Sequence, residues 1–183
     1  MRSFTQKHKI PIRTLTIFAL LAAMMFISRF TMQGILNVHL LGTFIAAITL
    51  TYRSRALLPI YLYIFIEGFF AGFGLWWLPY LYIWLPLWGV FMLVGKINIP
   101  HKIKVPLYMI LSALHGLSFG ILYAFTQVFI FGFDFNATIT WIIAGLPADV
   151  IHAISNFTSG ILIIPLHLLL KGLNENIQKN NPH

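Results

Sequence analysis

KVPLYMILSALHGLSFGILYAFTQVFIF, residues 104–131, carries one lysine at its first position and no other formal charge. A helix crossing the hydrocarbon of a bilayer takes about 20 mostly apolar residues. This stretch therefore predicts a membrane-spanning helix. The same pattern recurs on both sides. Upstream it predicts spans at Arg13–Thr31, Ile35–Tyr52, Ala56–Leu75 and Leu78–Val94. Downstream it predicts one at Ala137–Leu170, long enough to tilt, to kink at Pro147 or to leave the bilayer. The WWLPYLY boundary between spans three and four is the least sharply marked. The predicted fold is an all-α integral membrane bundle of six transmembrane helices, forming one domain over residues 1–183.

Composition points the same way. Hydrophobic residues make up 59% and charged residues 9%, and the mean hydropathy is +0.85. A soluble domain carries about 25% charged residues, so this chain cannot cover a water-facing surface. The formal net charge of +8 would suggest a nucleic-acid partner in a soluble protein. Here the cations sit in short connectors between apolar runs, and no nucleic acid is expected. Arg2, Lys7, Lys9 and Arg13 precede the first span. Arg53 and Arg55 follow the second, Lys96, Lys102 and Lys104 follow the fourth, and Lys171 and Lys179 follow the sixth. With six spans all of these share one side, which predicts both termini in the cytoplasm. Residues 1–12 then form a cytoplasmic lead-in and 172–183 a cytoplasmic tail. The basic start MRSFTQKHKIPIR resembles a signal peptide, but Arg29 and Gln33 follow its apolar run without a clean cleavage site, so the first span is expected to be retained. Cysteine is absent, which excludes disulfides and thiolate metal sites.

Ionisable groups inside a bilayer are costly and mark candidate functional positions. Glu67, His115, Asp149 and His152 fall within spans, and Arg29 and His39 near outer ends. Asp149, His152 and Asn156 share one helix face at i, i+3 and i+7, with Ser155 and Ser159 beside it. Three uses of that face stay open: bonds that hold helices together, contact with a polar ligand, or a metal site completed by His115. His115, Phe119 and Tyr123 step by four along span five, with Gln127 at its outer end. Tyr80, Trp84 and Trp88 step by four along span four, deeper than an interfacial belt requires. An inward stripe of this kind suits stacking on a flat ring. Trp76 and Trp77 fit the belt itself. Arg29 is expected to pair with Glu67 or Asp134, or to attract an anionic group. Ala19 and Ala23 form a small-xxx-small pair that lets another helix approach closely.

Six spans, cytoplasmic termini, ALLAA at Ala19–Ala23, YLYIFIEGFFAGFGLWWLPYLYIW at Tyr61–Trp84 and AGLPADVIHAISNF at Ala144–Phe157 together resemble the substrate-binding S-component of energy-coupling factor transporters. The resemblance spans nearly the whole chain in architecture, while its motifs are loose. It implies a multi-pass subunit of the bacterial plasma membrane that captures a vitamin on the outer side. It further implies docking, through the alanine motif of span one, on a transmembrane coupling protein with two ATPase subunits. The chain has no G-x-x-x-x-G-K-[ST] loop, so it is not expected to be an enzyme, and ATP hydrolysis would fall to those partners. No cofactor or metal is expected. The implied pocket residues are Gln33, Asn37 and His39, then Tyr80, Trp84 and Trp88, then His115, Tyr123 and Gln127, and finally Trp141, Asp149 and His152. Aromatic rings, a few amides and one acid favour a small flat heterocycle such as hydroxymethylpyrimidine or pyridoxine. Two other functions compete: a stand-alone proton-coupled secondary transporter, and an intramembrane metalloenzyme using Asp149 and His152.

Overall fold

The computed structural model describes residues 10–32, 34 and 38–179, without the side chains of Ile177 and Gln178. The expected pocket residues Gln33 and Asn37 lie outside the described residues, as do 1–9 and 180–183. Every regular element in the described chain is helical. The α-helices are α1 (Ile12–Met32), α2 (Leu41–Tyr52), α3 (Leu57–Ala71), α4 (Tyr80–Val94), α5 (His101–Leu117), α6 (Phe119–Phe131), α7 (Phe135–Ser159) and α8 (Ile163–Lys179). Short 3₁₀ turns join α2 to α3, precede α4, and join α7 to α8. Five continuous stretches are long and apolar enough to cross a membrane: Ile12–Met32, Leu41–Ala71, Leu75–Val94, His101–Phe131 and Phe135–Asn176.

Burial is inverted relative to a water-soluble fold. Phe69 and Phe129 are 79% and 81% exposed, while Glu67, Ser112, His115, Gln127, Asp149, His152 and Asn156 are buried. Apolar side chains on the outside and polar ones within suit a hydrocarbon solvent. The fold thus defines an all-helical protein with the character of a multi-pass membrane protein.

Helix directions follow from the cross-links. His39 N–H donates to Ser155 Oγ at 3.3 Å, Thr43 Oγ1 to Ser159 Oγ at 3.0 Å, and Thr51 Oγ1 lies 2.9 Å from His167 Nδ1. All three pairs are separated by 116 residues, so α2 runs parallel to the α7–α8 run. Against α4, α3 runs antiparallel. Tyr61 Oη donates to Leu81 O at 2.8 Å, Trp77 Nε1 to Ile64 O at 2.8 Å, and Trp88 Nε1 to Arg53 O at 3.3 Å. The ring of His39 meets that of Trp84, and Leu50 lies against Gly95, so α2 and α4 are parallel. Within 41–71, then, the chain reverses. The reversal sits at Arg53, whose φ of 56° is the only positive non-glycine value among the described residues. Its guanidinium donates to Met92 O, tying the turn to α4.

The expected fifth span is two helices, α5 and α6, broken at Ser118, whose Oγ bonds back to His115 O at 2.9 Å. The break leaves first-turn amides of α6 without acceptors in their own helix, and Gly120 N–H donates to Asp149 Oδ2 at 3.0 Å. The α5–α6 run packs antiparallel on α7. Asn156 Nδ2 donates to Ser112 O at 3.2 Å, and a Cβ at Gly116 would meet the backbone of His152 and Ala153 at 2.9 Å. The expected sixth span becomes α7, a 3₁₀ turn and α8. Helix α2 starts at Leu41 and has 12 residues, about 18 Å at 1.5 Å per residue. It is the central element, buried at ten positions and packed on α4 and α8.

Candidate functional site

Where α2 begins, rings from four elements meet. His39, just before α2, lies 4.6 Å from His152 of α7, centroid to centroid, and 6.3 Å from Trp84 of α4. Trp84 lies 5.5 Å from His115 of α5. Phe119, the first residue of α6, closes the ring at 4.9 Å from His152 and 6.0 Å from Trp84. Tyr80 borders both Trp84 and Phe119 at 6.4 and 6.5 Å. The contacts of His39 with His152 and Trp84, and of Phe119 with His152 and Tyr80, have the edge-on geometry that aromatic quadrupoles favour, and the others are tilted.

Local sequence explains the convergence. The i, i+4 spacing of Tyr80 and Trp84 puts both on the inward face of α4. The same spacing puts His115 and Phe119 on one face of the α5–α6 run, either side of the break at Ser118. Gly116 lets α7 approach within backbone contact, which brings His152 up to Phe119. On the α2 side, Gly42 admits Asn156, whose Oδ1 lies 2.9 Å from where a Cβ would stand.

The cluster holds polar atoms that find no partner among the described residues. His39 Nδ1, Trp84 Nε1, His115 Nε2 and both ring nitrogens of His152 are buried with no hydrogen-bond partner there. His152 and Trp84 are each 1% exposed. Buried polar groups are ordinarily bonded, and an unbonded one costs about 1–3 kcal/mol. So many around one point set a demand that a polar ring with donors and acceptors would meet. Two hollows lie nearby, and of the cluster's rings His115 alone lines one of them. A crevice of about 200 Å³ between α4 and α5 is bounded by Leu87, Leu111, Leu114, His115 and Ser118. A groove of about 470 Å³ runs between Val38–Leu40 and α7 at Ile151, Ser155 and Ser159.

Of the predicted pocket residues, His39, Tyr80, Trp84, His115 and His152 meet in this cluster. Tyr123 touches it through Phe119 at 6.3 Å, donates Oη to Trp76 O at 3.1 Å and stacks on Trp141 at 6.2 Å. Trp141 is therefore an outer flank. Gln127 is buried further out on α6, beyond Tyr123. Trp88 points to the opposite end, its indole on Arg53 O. Asp149 borders the cluster with one oxygen committed to Gly120 N–H. Phe119 is the hub that the sequence does not single out as a pocket residue, although its place between His115 and Tyr123 is the available signal. Ser155, which bonds the backbone of His39 at both N and O, is a second.

Beside the cluster, Arg29 Nη1 lies 2.7 Å from Glu67 Oε1, so the expected pairing with Glu67 is the one formed. Glu67 is 3% exposed. Tyr63 and Tyr80 lie within electrostatic reach of the pair. Among the described residues, no three His, Asp or Glu side chains are arranged to hold a metal ion. On α1, Ala19 is exposed and Ala23 half-buried, flanked by exposed Leu15, Leu20, Met24 and Ile27, while Ala22 is buried.

Comparison with protein-family models, with curated proteins and with solved structures finds no match to this chain.

Proposed function

We propose that the chain crosses the bacterial plasma membrane six times, with both termini in the cytoplasm, and serves as the solute-binding subunit of an energy-coupling factor importer. The reversal at Arg53 supports six crossings, because it divides 41–71 into two antiparallel helices. Parallel packing of α2 with α7–α8 agrees, since spans two and six of an alternating chain point the same way. Arg53 and Arg55, Lys96, Lys102 and Lys104 then gather at one end, as the positive-inside rule requires.

The observation that carries the solute-binding reading is the ring cluster with its five unpaired buried nitrogens. Flat aromatic walls and several ring N–H or N sites suit a planar pyrimidine or pyridine vitamin, of the hydroxymethylpyrimidine or pyridoxine kind. The coupling protein and its two ATPases would dock along the exposed Ala19–Ala23 stripe of α1. Proton-coupled transport has less support, because Glu67 is committed to Arg29 and Asp149 to Gly120 N–H.

The test is mass spectrometry of small molecules released on denaturing the detergent-purified protein, followed by calorimetric titration with the heterocycle found. Trp84→Phe keeps an aromatic ring and removes the indole N–H, and His152→Leu removes both ring nitrogens. Each should weaken binding about tenfold, which needs only about 1.4 kcal/mol, and Trp76→Phe should not. Wild-type affinity in both Trp84→Phe and His152→Leu, with unchanged unfolding temperature, would place the solute elsewhere.

A further inference from the structure

The first turn of α2 is unusual in where it stands. Helix α2 is about 18 Å long, against a hydrocarbon core of about 30 Å. Its C-terminal end is anchored at the Arg53 turn. Its N-terminal end therefore stops inside the bundle, level with Ser155 and Trp84. Leu41, Gly42 and Thr43 are buried. Leu40 at the N-cap has no side-chain cap bond to give, and none of these three amides has an acceptor among the described residues. Phe44 is the first residue to reach back, to Leu40 O at 3.0 Å.

A helix N-terminus carries roughly half a positive charge, spread over its free amides. In a low-dielectric interior that charge is felt more strongly than in water. Half-helices ending inside a membrane protein use it to hold anionic groups of a solute. The second, independent sign is the ring of His152, 1% exposed with both nitrogens unpaired. It lies 4.6 Å from the ring of His39, two residues before α2 begins. Trp84 Nε1 adds an unpaired donor from the other side. Glu67 Oε1 is paired with Arg29 and Asp149 Oδ2 accepts from Gly120 N–H. No carboxylate among the described residues bonds the first-turn amides of α2, and the acceptor packed against that turn is the neutral Asn156 Oδ1, 2.9 Å from where a Cβ of Gly42 would stand.

We infer that the α2 N-terminus, with His152 and Trp84, forms an oxyanion subsite, so that the solute is a planar nitrogen heterocycle bearing a carboxylate or equivalent anionic oxygen. This rests on the ring cluster being the solute pocket and narrows the pyrimidine and pyridine class to its anionic members, which excludes the neutral hydroxymethylpyrimidine. The flat ring lies among Trp84, Phe119 and Tyr80, and its oxyanion accepts from the free amides of α2 and from the ring N–H groups.

The experiment uses matched pairs differing only in charge: pyridine-3-carboxylate with pyridine-3-carboxamide, and pyrimidine-5-carboxylate with its carboxamide. Each is titrated calorimetrically into the purified full chain at pH 7. The wild type should bind the acid of at least one pair tenfold or more tighter than its amide. In Leu40→Asp a carboxylate built into the chain occupies the N-cap position, where Asp also favours the helix. That variant should fold and lose the preference for the acid. Amides binding as tightly as acids would overturn the subsite and leave the pocket standing. A preference that survives in Leu40→Asp would overturn its location at α2. If no heterocycle of either charge binds and none is released on denaturation, the pocket falls and the subsite with it.

Discussion

Gly116→Ala tests the packing that builds the site. A Cβ at this position would lie 2.9 Å from the carbonyl carbon and oxygen of His152 and from the nitrogen of Ala153. Ordinary contact begins near 3.4 Å, so α5 and α7 must separate by about 0.5 Å. The obstacle is backbone on all three counts, and no rotamer change relieves it. Overpacking of this kind costs about 1–3 kcal/mol, offset by up to about 1 kcal/mol of helix propensity gained on replacing glycine. The net expectation is a loss of about 1–2 kcal/mol. For a chain of this size each kcal/mol moves the unfolding midpoint by about 2–4 °C, so the midpoint should fall by roughly 2–8 °C.

The molecule supplies its own controls. Gly89 in α4 and Gly145 in α7 have no atom within 4 Å of where a Cβ would stand. Gly89→Ala and Gly145→Ala should be neutral or stabilising by up to about 1 kcal/mol. Tryptophan fluorescence during heating in detergent reads all three. The separation also moves His115 and His152, so Gly116→Ala should weaken solute binding beyond its effect on stability, whereas the controls should not. A Gly116→Ala variant as stable as Gly89→Ala would refute the close approach of α5 to α7.

Two further expectations concern the outside of the bundle. Ala19→Trp and Ala23→Trp should block ATP-dependent uptake while leaving solute binding by the isolated protein intact; loss of binding as well would make these alanines part of the fold's own packing. The chain has no cysteine, so Asn136→Cys, ahead of most of α7, should react with an impermeant thiol reagent on intact cells, while Glu175→Cys on α8 should react only after permeabilisation, and the reverse pattern would invert the topology.

Helix type and approximate position are legible in the sequence because lipid removes ambiguity: a long run without charge has few other fates. The ends are less so, since they depend on tertiary bonds. Ser118 stands between Gly116 and Gly120 in an uncharged run, and glycines at that spacing mark a weak point without fixing a break. The break is supported by the Ser118 Oγ bond to His115 O and by Asp149, 29 residues from Gly120 in sequence, which accepts from Gly120 N–H. The same bond gives Asp149 a structural use that its helix-face position leaves undecided between glue and ligand. Trp88 shows the converse limit. Its i, i+4 spacing from Trp84 predicts a shared inward face, but one turn along α4 carries it to the level of Arg53, whose carbonyl takes its N–H.

The most consequential feature is the hardest to see. Residues 35–52 read as an ordinary, slightly short span, and an apolar run carries no mark of where along its length the helix starts. That start at Leu41 is set by neighbours: Ser155 holds the backbone of His39, Thr43 is tied to Ser159, and Gly42 leaves room for Asn156. Each partner lies more than 100 residues downstream, on or beside the polar helix face of Asp149, His152 and Asn156. The polarity of that face and the shortness of α2 are therefore one arrangement. The face supplies the bonds that hold the N-terminus of α2 within the bundle, and it places His152, with both ring nitrogens free, beside that N-terminus.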